Sequence, residues 1–393
     1  MSFVSDKVRD LPPYLFAEFQ RRKKELQADG VDVIDLGIGA PDLPTPEFII
    51  DRLVAESRLP TNHRYSSYSG CAEFREAVAD YYKRRYQVEL DPESEILAVI
   101  GSKEGLANLM HATINPGDAV LVPDPGYPVY RTAVQLAGGE SVSLRLDHQN
   151  GYVPLYEELD QAVIDRAKLM LLNYPSNPTA ATVNFNTFLK AITFSEENRL
   201  LFVHDAAYDM ITYNGYKAPS VMQVPNAKDH AVEFGSLSKS FNMAGWRIGY
   251  AVGNKEVIQA LSTIKSNIDT SQFLPIQKAA AAALSSDFKA AEANSYVYQI
   301  RMEKLHRAFE KLGIQADKPN GTMFLWAKVP HGYSSMEFAE KMLLEAGVIV
   351  TPGNAFGAQG EGYFRVALTV PAERLDEVIH RMEQIDLKGV ATE

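Results

Sequence analysis

A rhythm of short apolar runs, each followed by a polar or glycine-rich turn, constrains the fold of this chain more than any other feature of its sequence. The runs are apolar enough to be buried on both faces, which is typical of a parallel sheet covered by helices. Helical patterns at 103–114 and 185–197 separate several of them. The sequence therefore predicts an α/β sandwich with a mostly parallel central sheet, whose strands lie at 95–101, 119–124, 141–146, 168–175, 199–209, 230–239 and 246–253.

The pattern changes from about residue 286 onward. A long polar helix is predicted at about 288–311, and shorter alternating strands follow around 323–329 and 363–369. A chain of 393 residues is also longer than one hydrophobic core usually serves. We therefore expect a large domain and a smaller α+β domain in which the N-terminal segment packs with the C-terminal part, with bounds of 46–286 for the large domain and of 1–45 and 287–393 for the small one.

Composition narrows the classes of function. The net charge is −11 and the basic residues are spread along the chain, which disfavours a nucleic-acid partner. Cys71 is the one cysteine, so no intrachain disulfide can form and a reducing compartment is expected. The first residues lack a secretory pattern, and no run approaches the roughly 18 apolar residues of a membrane span. These features predict a cytoplasmic protein without a membrane partner.

Polar side chains follow the predicted strands at the points where the strands end. In open parallel sheets, ligands bind just past the carboxyl ends of the strands. We therefore expect one crevice to collect the polar residues that follow the runs, which are Ser102 and Lys103, Asp124 to Tyr127, Asn173 to Asn177, Asp205 and Tyr208, and Ser236, Ser238 and Lys239.

The residue types in this crevice suit a phosphorylated aromatic aldehyde. Hydroxyls, the helix-opening turn "GSKEG" and Arg247 would bind a phosphate dianion, although the Walker spacing is absent. Asp205 ends a very apolar strand, where a carboxylate needs a cationic or donor partner. Tyr208 lies about one helical turn further on, so a pyridinium with an adjacent hydroxyl would satisfy both side chains. Lys239 would then be an amine placed to condense with the aldehyde.

Five blocks of sequence resemble those of the fold type I, class I/II pyridoxal-phosphate-dependent aminotransferases. The stretch "SLSKSFNMAGWRIGY" around Lys239 resembles the family's cofactor-lysine signature, and the likeness runs from about residue 31 to near the end. More narrowly, "LGIGAPDLPTP", "IGSKEGL" and "VTPGNAFGAQGEGYFRVALT" resemble the LL-diaminopimelate aminotransferases and their aspartate-aminotransferase-like relatives. The other four blocks are "PDPGYPVY" at 123–130, "NYPSNPT" at 173–179, "HDAAY" at 204–208 and "FRVALT" at 364–369.

The resemblance implies roles at the ring end of pyridoxal phosphate. Lys239 would form the covalent link to the aldehyde and, once released by substrate, move the proton between the substrate and the cofactor. Asp205 would hold the pyridine nitrogen protonated. Asn177 and Tyr208 would bond the ring hydroxyl, and Tyr127 would stack on the ring. Lys239, Asp205 and Tyr208 are thus the implied catalytic residues.

The resemblance also implies a phosphate site and a substrate site. Arg365 would bind the substrate α-carboxylate as a bidentate fork, and Gly39 would leave room for backbone contact. Further implied substrate contacts are Asn177, Tyr14 and Asn267, the last from the partner chain of a homodimer. The phosphate would lie among Ser102, Lys103, Ser236, Ser238 and Arg247, with Tyr65 reaching in from the partner.

The function implied is the ping-pong transfer of an amino group between an L-amino acid and a 2-oxo acid. LL-diaminopimelate or aspartate would be the donor and 2-oxoglutarate the acceptor. A carbon–sulfur β-lyase, or a transaminase for alanine or aromatic amino acids, would use the same Lys239 and Asp205. A transcription regulator would need a DNA-binding module, for which the likeness leaves no room. A metal site at Asp205 is disfavoured, because no second His or Cys cluster supplies further ligands.

Two positions depart from the family pattern. Ala180 stands where the family usually has glycine, so the local turn geometry is expected to differ. Ala40 in "GIGAPD" stands where many diaminopimelate-type relatives have aspartate, which bears on substrate choice rather than on the core chemistry.

Overall fold

The computed structural model of the protein describes residues 3–11 and 15–387, without the side chains of 15–20. The helices are α1 (Asp6–Arg9), α2 (Leu15–Ala28), α3 (Glu47–Ser57), α4 (Ala72–Tyr86), α5 (Ser102–Thr113), α6 (Val129–Ala137), α7 (Gln161–Ile164), α8 (Phe185–Asn198), α9 (Ala227–His230), α10 (Leu237–Ser240), α11 (Lys255–Ser266), α12 (Leu274–Leu284), α13 (Lys289–Lys311), α14 (Ser335–Ala346) and α15 (Ala372–Gln384). The strands are β1 (Ile34–Asp35), β2 (Ile96–Val99), β3 (Ala119–Asp124), β4 (Glu140–Arg145), β5 (Ala167–Asn173), β6 (Leu201–Asp205), β7 (Ala231–Ser236), β8 (Gly249–Gly253), β9 (Phe324–Lys328), β10 (Val348–Ile349), β11 (Thr351–Pro352) and β12 (Tyr363–Ala367).

In the described part of the chain, a seven-stranded sheet has the order β2-β8-β7-β6-β5-β3-β4. Its strands match the predicted apolar runs, and the mostly parallel α/β architecture predicted from them is confirmed. β8 alone runs antiparallel to both of its neighbours, β2 and β7. The chain returns from β7 to β8 through residues 237–248, which contain the short helix α10 and a turn of 3₁₀-helix.

The strand ends around Lys239 differ from the prediction. The predicted strand 230–239 stops at Ser236, and α10 begins at the next residue, because the Ser236 side chain accepts a hydrogen bond from the backbone N–H of Ser238. Lys239 therefore lies in a helical turn and not in a strand. The predicted strand 246–253 begins only at Gly249, since residues 244–246 form a turn of 3₁₀-helix.

Two smaller sheets lie outside the large one. β11, β12 and β9 form an antiparallel sheet, and β1 pairs in parallel with β10. One hydrophobic cluster joins Leu36 to Tyr298 of α13, Phe324 of β9 and Val366 of β12. The N-terminal strand thus packs with the C-terminal part of the chain. Division into domains at residues 46 and 287 stays a prediction.

No helix among the described residues combines the length and the apolar character needed to cross a membrane.

Candidate active site

A cavity of about 510 Å³ lies at the ends of the central strands, beside β9 and β12. Its walls include twelve of the residues predicted from sequence to form the site. They are Gly39, Ser102, Lys103, Tyr127, Asn177, Asp205, Tyr208, Ser236, Ser238, Lys239, Arg247 and Arg365.

Two other predicted residues, Tyr65 and Asn267, do not line this cavity. Tyr65 is 89% exposed, and the side-chain amide of Asn267 donates to the backbone carbonyl of Thr263 at 2.8 Å on the surface of α11. Tyr14 lies outside the described residues. Tyr65 and Asn267 are the two residues expected to serve a partner subunit.

The amine of Lys239 points into the cavity from the helical turn of α10. Its Nζ donates a hydrogen bond to the backbone carbonyl of Gly39 at 2.7 Å. Burial lowers the pKa of Lys239 to about 8, and the positive charges of Arg365 and Arg247 act in the same direction, against the opposite pull of Asp205. An amine with such a pKa is largely neutral in weakly basic solution and is therefore a nucleophile and a base.

Asp205, the last residue of β6, presents two different oxygens. Oδ2 accepts a hydrogen bond from the hydroxyl of Tyr130 at 2.8 Å. Oδ1 is buried and has no hydrogen-bond partner among the described residues. Burial raises the pKa of Asp205, and the Tyr130 hydrogen bond offsets this only in part. A buried carboxylate oxygen without a donor is unfavourable, so an N–H group or a cation at this atom would stabilise it.

The opposite end of the cavity suits an anion. The helix α5 begins at Ser102, and Ser102 and Lys103 of its first turn line this end, where the backbone N–H groups of a helix start favour an anion. Arg247 lies close to the loop that precedes α5: a Cβ on Gly101 would come within 2.4 Å of its guanidinium, and Gly101 has φ of +80°. Only glycine fits there. The buried hydroxyl residues Ser236 and Ser238 complete this end.

Arg365 of β12 is held between two aromatic rings. Its guanidinium lies 4.3 Å from the ring centre of Phe324 and 4.8 Å from that of Phe356. It donates to Oδ1 of Asn177 at 2.7 Å and to the backbone carbonyl of Gly37 at 2.5 Å. Stacking fixes the plane of the guanidinium, which favours bidentate recognition of a carboxylate.

Three residues around the cavity, Tyr130, Phe324 and Phe356, were not predicted from sequence, and Asn173 was expected in the crevice without a specific role. Tyr130 follows Tyr127 by about one helical turn in "PDPGYPVY", and the two rings are in edge contact at 5.6 Å, so helical spacing could have indicated it. Asn173 links the strand ends, because its amide donates to the backbone carbonyl of Asp205 at 2.7 Å. Phe324 and Phe356 carry no local sequence pattern that distinguishes them from core residues.

The family and its relatives are evident from comparison with known proteins. Residues 31–382 match the family "Aminotransferase class I and II". The LL-diaminopimelate aminotransferase of Moorella thermoacetica is 48% identical, over 96% of this chain and 97% of that protein, and the enzyme of the same name from Aquifex aeolicus is 46% identical over 98% and 99%. The substrate-bound structure of BacF from Bacillus subtilis superposes with a TM-score of 0.96 at 36% identity, with both chains fully covered. The chain therefore belongs to the class I and II aminotransferases.

Proposed function

We propose that this aminotransferase uses pyridoxal 5'-phosphate and exchanges amino groups between LL-diaminopimelate and 2-oxoglutarate. The observation that carries the cofactor assignment is the pairing, in one cavity, of a lysine whose pKa is lowered to about 8 with a buried aspartate oxygen that has no partner among the described residues. The name shared by the relatives at 44–48% identity supports the substrate.

The residues around the cavity fit the three functional ends of this cofactor. Oδ1 of Asp205 would accept the hydrogen bond of a protonated ring nitrogen, which removes the cost of leaving it unpaired. The start of α5, Arg247 and the buried serines would hold the phosphate. Lys239 would meet the aldehyde. Bound pyridoxal phosphate supplies an electron sink for the electrons of a substrate C–H bond.

Lys239 and Asp205 divide the proton chemistry between them. The neutral amine of Lys239 is a nucleophile for a carbonyl carbon, and when it is free it can accept the α-proton of an amino acid and return it. Asp205, as a carboxylate, keeps a ring N–H in place. Tyr130 orients that carboxylate through its hydrogen bond to Oδ2.

Arg365, Asn177 and Gly39 are the proposed substrate contacts. The stacked guanidinium of Arg365, already hydrogen-bonded to Asn177, would bind the α-carboxylate. Gly39 has no room for a side chain, because a Cβ would lie 2.6 Å from the ring of Phe324. Arg365→Ala is expected to raise KM about 100-fold while cofactor affinity changes little, since a charge-assisted pair contributes about 3 kcal/mol. An unchanged KM would remove the carboxylate role.

A cytoplasmic homodimer with shared sites is part of the proposal. Tyr65, at 89% exposed, is free of the cavity of its own chain, and the exposed Ile268 and Phe273 lie on the segment that follows Asn267. Tyr65→Ala and Lys239→Ala proteins should each be inactive, and mixing them should restore activity, because one hybrid site then has both residues intact. No recovery after demonstrated subunit exchange would count against a shared site.

A half-reaction panel tests the proposed function directly. Enzyme loaded with pyridoxal phosphate is mixed with single amino acids, and the loss of the Lys239-linked cofactor absorbance is timed. LL-diaminopimelate should react faster than its N-acylated forms, aspartate, glutamate, alanine and phenylalanine. Lys239→Ala should lack both the absorbance and turnover, whereas Lys190→Ala, a change at an exposed lysine of α8, should behave as wild type.

Two outcomes of the panel would redirect the assignment. Pyruvate and ammonia released without any amino acceptor would indicate a β-lyase. Fastest reaction with aspartate, alanine or phenylalanine would keep the aminotransferase chemistry and replace the substrate.

A further inference from the structure

The connection between α11 and α12, residues 267–273, passes next to the proposed phosphate end of the cavity. One side chain of this connection, Gln272, is 8% exposed and reaches two loops at once. Its Nε2 donates to the backbone carbonyl of Val99 at 2.6 Å and to that of Arg247 at 2.9 Å. Its Oε1 accepts from the hydroxyl of Ser271 at 2.9 Å. The amide therefore uses both of its N–H donors as a bridge between the two loops.

The two bridged carbonyls belong to the loops that form the anion end of the site. Val99 ends β2 and precedes the start of α5, and its carbonyl also accepts from the N–H of Gly101 at 2.8 Å. Arg247 precedes β8 and contributes its guanidinium to the cavity. The β2–β8 ladder ends at the pair Val99 and Gly249, so beyond that pair the described strands supply no ladder hydrogen bond between the loops. The side-chain amide of Gln272 joins the two loops by its hydrogen bonds to the Val99 and Arg247 carbonyls.

The backbone conformation of Arg247 is strained, so it depends on restraints such as the hydrogen bond from Gln272. Its φ of +55° is left-handed, which costs a non-glycine residue roughly 1–2 kcal/mol. Such a conformation persists only where neighbouring groups hold it in place. The hydrogen bond from Gln272 to the Arg247 carbonyl is one of those restraints on the backbone, and the guanidinium of Arg247 also donates to the carbonyl of Ala244 at 2.9 Å.

A second contact fastens the same connection to α5 without Gln272. Lys265, which is fully buried, donates to Glu104 at 3.1 Å and to Asp269 at 2.9 Å. Glu104 in turn accepts from the backbone N–H of Ile100 at 2.8 Å. The connection is thus anchored from two sides, and changing Gln272 should leave the fold intact while it loosens the two loops relative to each other.

We infer that Gln272 is a positioning residue that holds the two phosphate-binding loops together and thereby sets the affinity of the site for a phosphate group. The inference rests on the proposed function, because it takes the cofactor phosphate as the ligand of these loops. It predicts that loss of the amide donors weakens binding of phosphate-bearing ligands and leaves binding through the ring and aldehyde unaffected.

The test compares apoenzyme variants in their affinity for three probes: pyridoxal phosphate, pyridoxal without phosphate, and inorganic phosphate. Gln272→Leu and Gln272→Met both remove the N–H donors without adding a charge, and Gln272→Met keeps the side-chain length. Both should bind pyridoxal phosphate and inorganic phosphate about 10- to 100-fold more weakly than wild type, as expected for two lost hydrogen bonds. Pyridoxal affinity should stay within about twofold of wild type. Gln161→Met, at an exposed glutamine that starts α7, is the matched control and should match wild type with every probe.

Three results would overturn the inference alone, given wild-type protein that binds pyridoxal phosphate. One is unchanged affinity for phosphate-bearing ligands in both variants, and another is an equal loss of affinity for pyridoxal, which indicates general damage to the site. The third is failure of both variants to fold as apoenzyme, because Gln272 would then act on the fold. Wild-type protein that binds neither pyridoxal phosphate nor inorganic phosphate would overturn the proposed function, and this inference with it.

Discussion

Two buried carboxylates on opposite faces of the central sheet have opposite surroundings. His204 and Asp205 are consecutive residues of β6, so their side chains point to opposite faces. On one face, Asp205 borders the cavity with one hydrogen-bonded oxygen and one without a partner among the described residues. On the other face, Glu233 of β7 pairs with His204 at 2.8 Å, away from the cavity.

Glu233 is saturated with hydrogen bonds where Asp205 is not. Its Oε1 accepts from the hydroxyls of Tyr82 and Ser220, each at 2.6 Å, and its Oε2 also accepts from the backbone N–H of Val221 at 2.9 Å. Burial tends to raise the pKa of Glu233, but the donors, His204 foremost, outweigh it and lower the pKa. In Asp205 burial dominates and the pKa is raised. Two equally buried carboxylates therefore differ: the donors around Glu233 satisfy both of its oxygens, whereas Oδ1 of Asp205 has no partner among the described residues.

The largest expected effect is on activity, at Asp205. Asp205→Asn should lower kcat at least about 10³-fold, or about 4 kcal/mol in the barrier, because an amide no longer favours a protonated ring nitrogen. The free energy of unfolding of the apoenzyme should not fall, since the variant removes a buried charge with a raised pKa. Steady-state kinetics and urea denaturation of the same preparation measure both. A stable Asp205→Asn protein with wild-type kcat would show that Asp205 is not needed for activity.

The reverse result is expected at Glu233. Glu233→Gln places an amide N–H₂ group against hydroxyl and backbone donors, so it should cost about 3 to 4 kcal/mol in the free energy of unfolding. The kcat of the folded fraction should stay within a few-fold of wild type, because Glu233 does not reach the cavity. If the variant kept its stability and lost activity, Glu233 would have a role in catalysis and not the structural role assigned to it.

The pH dependence of stability separates Lys239 from Glu233. The folded-state pKa of Lys239 is about 8, below its ordinary 10.5, so below pH 8 protonating the buried amine costs the folded apoenzyme about 3 kcal/mol. Between pH 8 and 10.5 the unfolded chain binds more protons than the folded one, so this cost disappears as pH rises. Glu233 has the other sign: its stabilisation is present above its ordinary pKa of 4.5 and is lost as pH falls below that value.

Lys239→Met measures how much Lys239 contributes to the pH dependence of stability. We compare the free energy of unfolding of the variant with that of wild type by urea denaturation of the apoenzyme. The value for the variant minus the value for wild type should be about 3 kcal/mol larger at pH 7 than at pH 10.5, because only wild type has a buried amine to protonate at pH 7. Lys190→Met, at an exposed lysine, should show no such change. A difference between Lys239→Met and wild type that stays constant with pH would contradict a lowered lysine pKa.

The smallest expected effect concerns Ala180, a buried residue three positions after Asn177. Ala180 has a φ of +56°, the left-handed conformation that glycine adopts most readily. Ala180→Gly relieves a left-handed alanine but adds freedom to the unfolded chain, so a net gain of about 0.5 kcal/mol is expected. Thermal denaturation should show a small rise in Tm. A fall in Tm would mean that packing of the buried methyl group outweighs the backbone strain.

Local patterns predicted the elements of the large sheet and the residues at the strand ends. The apolar runs locate β2 to β8, and Asp205, Ser236 and Lys239 lie at or just beyond the ends of β6 and β7. The direction of β8 and the helical turn at Lys239 were not evident from these runs. Those features depend on how the chain turns back after β7 and on one serine cap, which periodicity does not indicate.

The sequence by itself determined the class of the fold, the family and the set of side chains that meet at one edge of the sheet, because these follow from periodicity and short motifs. Only the tertiary structure decided how those side chains are held. Phe324 and Phe356 enclose Arg365, Tyr130 occupies one oxygen of Asp205, and Gln272 bridges two loops from a distant connection. Such contacts join residues far apart along the chain, and their energies depend on burial and distance, which no local pattern of residues specifies.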